Sequence, residues 1–217
     1  MDRETRNPSP GLDAQKKTLG ATERDEPQRD AFRTQIIARS AADFVIVDET
    51  GSNVNVTPRY ARAPRGQRAH GRIPRHTASN STLIAAMTID ELGAVMVRDG
   101  ATDTLAFEAY VEPCVVPTLW RGHVVVLDKL SAHKGTRVRE LISGAGCDLW
   151  YLPSYSPDLS PIEEACSKRK TLLRRAAART KEALLDAIGV ALGQITPSDA
   201  HGSFTHCGFQ LPQPTDH

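Results

Sequence analysis

The sequence predicts a mixed α/β fold, a five-stranded sheet with helices on its faces. Three observations predict it. Short apolar runs at 44–47, 82–89, 94–97, 124–127 and 149–152 have the length of strands. The second and third flank Asp90-Glu91-Leu92-Gly93, a turn that makes them an antiparallel hairpin. From residue 104 onward, helical patterns alternate with apolar runs, and hairpin first, alternation afterwards is the order of a mixed sheet covered by helices.

Taken in order, residues 1–40 are polar, with Pro8, Pro10, Gly11 and Pro27 among mixed charges. They read as a flexible linker with a short helix near Arg29 to Arg39. Phe44 to Val47 is the first strand and runs into Asp48, with Glu49 an exposed turn acid beside it. Between Gly51 and Thr88 there is no acidic residue, while Arg59, Arg62, Arg65, Arg68, Arg72 and Arg75 recur every three or four positions. Pro58, Pro64, Gly66, Gly71 and Pro74 exclude a continuous helix there, leaving an arginine-rich loop or hairpin inserted after the first strand.

Thr104 to about Leu119 reads as helix, with Leu105, Ala109, Tyr110 and Val116 as core candidates and Pro113 as a kink or stop. Val124 to Leu127 is a strand buried on both faces that delivers Asp128 to a sheet edge. A helix carrying Val138, Leu141 and Ile142 leads to the strand Leu149 to Leu152. After the cluster PSYSPDLSP a long helix starts at Pro161, with Glu163 just inside it. Lys168, Arg169, Lys170, Arg174, Arg175 and Arg179 make that helix strongly basic. Thr180 caps a further helix to Gln194, Thr196 to Asp199 breaks it, and Phe204 and Phe209 pack a closing segment.

Asp48, Asp128 and Glu163 are therefore three acids at element ends. Brought together, like charges raise one another's pKa unless a cation compensates. Magnesium or manganese, bound through oxygen, is the natural partner. A pair of such ions about 3.5–4 Å apart is a device for displacement at phosphorus. Other classes fit poorly. There is neither a phosphate-binding glycine loop nor a dinucleotide fingerprint. Four scattered cysteines without a CxxC pair argue against a disulfide framework or zinc finger and suit a reducing cytoplasm. No apolar run approaches the roughly 20 residues of a membrane helix.

Asp128 with His133 five residues on, the run YLPSYSPDLSPIE and the earlier VDETG resemble the catalytic domain of DDE transposases of the mariner superfamily, in their bacterial insertion-sequence branch. That family carries aspartate, aspartate, then glutamate after 34 intervening residues, the spacing from Asp128 to Glu163. The resemblance runs from roughly Lys16 to Phe209 and implies a ribonuclease H-like domain over 41–209, with 210–217 a tail. It implies that Asp48, Asp128 and Glu163 are catalytic and hold two Mg2+ or Mn2+, cutting DNA and transferring strands. It also implies transposon ends and target DNA as partners, a homodimer, and a cytoplasmic protein of bacteria that is nucleoid-associated when bound to DNA. No two-helix recognition pattern precedes Asp48, so a helix-turn-helix is expected on a separate upstream polypeptide.

Beside such a site the six loop arginines, together with Lys168, Arg169 and Arg175, are expected to meet phosphates. His133 is a possible accessory group that orients a phosphate or water. Two positions depart from the family pattern. Lys129 replaces an asparagine and can pair with Asp128 in competition with a metal. Ser160 also replaces an asparagine but can still cap the helix. The alternatives are an inactive DNA-binding or oligomerising remnant and another ribonuclease H-like nuclease.

Overall fold

The computed structural model describes residues 21–58, 60–74 and 80–212. The lead before residue 21, Arg59, Arg75 and the tail from 213 lie outside the described residues.

One five-stranded sheet runs through the molecule in the order β3-β2-β1-β4-β5. Its strands are β1 (Phe44–Ser52), β2 (Ser81–Met87), β3 (Leu92–Asp99), β4 (Val124–Leu127) and β5 (Asp148–Tyr151). β1, β2 and β3 pair antiparallel, whereas β4 lies parallel to both β1 and β5. All four residues of β4 and all seven of β2 are buried, as continuous apolar runs require when both sheet faces are covered.

Strand alternation sorts the central side chains into two cores. Phe44, Ile46, Val124 and Val126 face one side, against α1 (Glu26–Ile37), α4 (Pro161–Ala176) and α6 (Pro197–His206). Val45, Val47, Val125 and Leu127 face the other, against α2 (Thr104–Tyr110) and α3 (Thr136–Gly144). A smaller cluster joins Leu83 and Leu173 to Leu184 and Ile188 of α5 (Lys181–Leu192).

Several elements differ from the expectation. Residues 21–40 are not linker. They hold α1, capped by Asp25, whose Phe32 and Ile36 are buried in the first core. The short helix expected near Arg29 lies here, and two aromatic-sized apolar residues four apart are what dock it. The helix from Thr104 changes pitch: α2 passes into a π-helical turn at Val111–Val115 and a 3₁₀ turn to Thr118. Pro113 has no N–H to donate, so the ladder loosens there instead of ending. That shift rotates the buried stripe onto Phe107, Tyr110, Val111 and Val115, while Leu105 is 76% exposed. Thr196 to Asp199 does end α5, and it also opens α6 as a reciprocal capping box.

Candidate active site

The β1–β4 register fixes the first two acids. Phe44 lies opposite Val124 and Ile46 opposite Val126, so Asp48 and Asp128, each four residues on, leave neighbouring strands at one level. Asp48 shares the face of Phe44 and Ile46, toward α4. Glu163 stands in the first turn of that helix. All three acids line one cavity of about 450 Å³, with Lys129, Tyr155 and Ser160.

Asp48 is the perturbed member. Burial raises its pKa, and the charges of Glu163 and Asp128 add to that, against a 2.7 Å hydrogen bond from the Glu49 N–H; the pKa reaches about 7. Asp128 accepts from the Leu130 N–H at 3.1 Å, and one of its oxygens is 2.5 Å from His133 Nδ1, close but off the line of a good hydrogen bond. His133 is fully buried against the Phe107 ring, 4.1 Å between centroids. Its other nitrogen meets Glu49 Oε1 at 3.0 Å. Burial works against the imidazolium, yet the contacts with Asp128 and Glu49 outweigh it and raise the pKa to about 9. His133 is thus a buried cation clasped between two acids, one from each central strand.

Glu49 was expected as an exposed turn acid. It lies inside β1 instead, with its side chain only 14% exposed, because β1 continues to Ser52 in pairing with β2. A carboxylate alternating with Val45 and Val47 on the second face was the available signal. Lys129 does not pair with Asp128: its Nζ donates to Gln28 Oε1 of α1 at 2.8 Å. Helix α1, misread as linker, supplies the partner that takes it away. Ser160 occupies the cap position of α4 but makes no side-chain capping bond.

Among the described residues no three metal-ligating side chains stand close enough to enclose one ion. Magnesium does not demand such a cage, since it keeps several waters and takes one or two carboxylates plus substrate phosphates. An all-oxygen donor set, with one carboxyl held near neutrality by its neighbours, fits a hard divalent cation.

The expected DNA contacts divide. Arg62, Arg65, Arg68 and Arg72 are exposed on the irregular β1–β2 connection, and no carboxylate among the described residues lies within 4 Å of them. Arg59 and Arg75 lie outside the described residues. Arg175 is exposed, and Lys168 pairs with Asp199 at 2.6 Å. Arg169 is a correction: it has no exposed surface and donates to Thr50 Oγ1 at 2.7 Å and Ser52 Oγ at 3.1 Å. Residues 163, 166 and 169 share one face of α4, and that face packs on β1.

Sequence spacing also missed the bracket around the Pro-Ser stretch. Arg29, 1% exposed, donates to both oxygens of Asp158, at 3.0 and 2.6 Å, and Arg24 adds a third bond at 3.0 Å. Arg24 also donates to the carbonyl of Tyr155, a residue at φ +53° on the cavity rim.

Comparison with known proteins bears on this site. The family model for DDE superfamily endonucleases matches residues 43–185. No curated protein matches the chain. Solved structures do. A pre-cleavage Mos1 transpososome matches with a TM-score of 0.69 and 13% identity, over 91% of this chain and 64% of that one. The Mos1 mariner paired-end complex with Mn gives 0.68 and 14%, again over 91% and 64%. The catalytic domain of Mos1 mariner transposase gives 0.55 and 11%, over 86% and 93%. The chain therefore spans about two thirds of the Mos1 chains in the assembled complexes and most of the isolated catalytic domain. These likenesses show the ribonuclease H-like fold. With the family model covering the sheet, all three acids and most of the helices, the chain belongs to the DDE superfamily of endonucleases.

Proposed function

We propose that the chain is a transposase catalytic domain that cuts DNA and transfers strands with the help of divalent metal. The observation that carries this is the meeting of Asp48, Asp128 and Glu163, from β1, β4 and α4, in one cavity. The family membership and the DNA-bound Mos1 complexes support it. Asp48, Asp128 and Glu163 would hold two magnesium or manganese ions. When bound, such ions supply Lewis-acid polarisation of a phosphodiester and make water more acidic. Mos1 structures are known with Mn and with Mg.

The chain's own side chains have definite parts. Asp48, between the other two acids, is the carboxylate most relieved by a cation. His133 holds Asp128 at one fixed orientation and ties it to Glu49. The exposed arginines of 62–72 hold the duplex by its phosphates. Water attacks at the element's end, and the released 3′-hydroxyl attacks target DNA at the same site. No side-chain nucleophile is required. An upstream helix-turn-helix polypeptide, pairing of two copies and an insertion-sequence origin complete this proposal.

The experiment is cleavage of DNA carrying the terminal repeats that flank the gene, with magnesium or manganese. Asp48→Ala, Asp128→Ala and Glu163→Ala should each lower the rate by at least about a thousandfold while still binding DNA. Unimpaired cutting by Asp128→Ala would overturn the assignment. One observation favours an inactive DNA-binding form, namely Lys129 in the cavity wall beside Asp128. Salt-sensitive DNA binding with no metal-dependent nicking, restored by Lys129→Asn, would select that form.

A further inference from the structure

A second cavity, about 250 Å³, opens farther along the seam between β1 and α4. Ser52 and Thr57 line it from the end of β1 and the loop beyond, and Lys170 and Arg174 line it from α4. Val56 and Leu173 close its apolar side, and no acid lines it. Lys170 and Arg174 are one helical turn apart, so α4 presents both on the same edge. Both are half-buried, and among the described residues neither has a carboxylate within 4 Å. Their neighbours on the helix are engaged: Lys168 by Asp199, Arg169 by hydroxyls of β1.

The floor and wall of this cavity are built. Arg169, fully buried, places a guanidinium behind Ser52 and donates to its hydroxyl oxygen. With that oxygen accepting from Arg169, the hydroxyl proton of Ser52 is left to point elsewhere, and the cavity is where Ser52 is open. Arg169 Nε has no partner among the described residues, and no carboxylate lies within 4 Å to balance the charge. Arg179 fixes the outer wall by donating to the carbonyls of Val54 and Val56, at 3.2 and 3.1 Å. A rigid recess with hydroxyls, a buried positive charge behind it and two cations at its rim suits a doubly liganded oxyanion.

We infer that this recess binds a backbone phosphate of the DNA that occupies the neighbouring active site. The inference rests on the function proposed above. Four residues of β1 separate Asp48 from Ser52, roughly 13 Å of strand, which is about four base-pair rises of 3.4 Å. The recess thus anchors the duplex at a fixed distance from the three acids, and the exposed arginines of 62–72 follow directly in sequence from its Thr57 wall. Its contribution is register: it sets which phosphodiester lies over Asp48.

The test is duplex binding by the full chain in EDTA, followed by fluorescence anisotropy across a salt series. Lys170→Ala with Arg174→Ala should weaken binding on the order of tenfold and make the log Kd against log salt slope shallower by about 1.8. Arg121→Ala with Arg139→Ala removes the same charge elsewhere on the surface and should leave affinity within about twofold. Unfolding curves matching the wild type confirm that the variants are folded. Equal losses in the two double variants, or no loss in the first, would overturn the phosphate site. Inorganic phosphate separates this from the broader proposal. A phosphate-dependent rise in Tm that Lys170→Ala with Arg174→Ala abolishes, in a chain that binds no duplex, removes DNA from the site and overturns the inference together with the proposed function. Duplex binding that depends on Lys170 and Arg174, without metal-dependent cutting, supports the inference while the catalytic proposal fails.

Discussion

Asp48 sits where its own charge is unfavourable. Burial, then Glu163 and Asp128, raise its pKa from 3.8 to about 7. An acid whose pKa rises on folding weakens the fold as it ionises, so stability drops as pH climbs through that interval. His133 acts in the same sense, since its pKa is raised from 6.5 to about 9. Its contribution is whole below about pH 6.5 and is lost as pH passes about 9. The metal-free chain should therefore lose Tm steadily between about pH 5 and pH 9. Asp48→Asn should remove the lower part of that decline and stabilise the chain at about pH 8 by about 2–4 kcal/mol, read from urea unfolding. Magnesium should raise Tm at about pH 8, much less at about pH 5, and hardly at all in Asp48→Asn. A magnesium effect independent of pH would refute the link between Asp48 and the cation. The acids themselves were visible as residues that end apolar runs. The coupling of His133 to Glu49 was not, because 84 positions separate them and only sheet pairing brings them together.

Helix α1 shows what an element contributes that its own residues do not announce. It is polar overall, yet Phe32 and Ile36 seat it on the sheet, and its Arg29 grips Asp158 below the Pro-Ser stretch. The guanidinium of Arg29 holds the Asp158 carboxyl below the usual carboxylate range. That stretch carries Tyr155 at a positive φ, a costly conformation for a bulky residue that persists only when its surroundings hold it. Arg29→Met keeps the apolar stem and removes the grip. It should cost about 2–3 kcal/mol in urea unfolding, with Asp158→Asn costing a similar amount. A loss below about 0.5 kcal/mol in both would mean the pair is incidental. Composition alone gave α1 away as a linker, since its apolar face is only two large residues wide. Helix α4 was legible throughout its length, but not which of its cations turn inward. Basic residues at every face leave that choice to the partner strand, and Thr50 with Ser52 drew Arg169 in.

At the scale of the molecule, a sheet covered on both faces leaves its thiols in two sealed layers. Cys147, Cys166 and Cys207 are buried, and Cys114 is half-buried on the second face. Burial pushes the Cys166 and Cys207 thiols up to about 12. A thiol-alkylating reagent at neutral pH should therefore mark Cys114 first, and the other three only as fast as the whole domain unfolds. Mass spectrometry of a labelling time course reads this directly. Prompt labelling of Cys166 would show instead that α4 opens locally, and with it the Glu163 wall of the site.

The sequence by itself determined the sheet, the order of its strands along the chain and the three acids. Each rests on a local signal, such as an apolar run of strand length, a turn, or a proline stop before a helix. Tertiary structure decided which charges are spoken for: Lys129 by Gln28, His133 by Glu49, Arg29 by Asp158, Arg169 by Thr50 and Ser52. A charged side chain reports its type in the sequence, whereas its partner depends on which distant strand or helix packs beside it, and that pairing exists only once the two cores have closed.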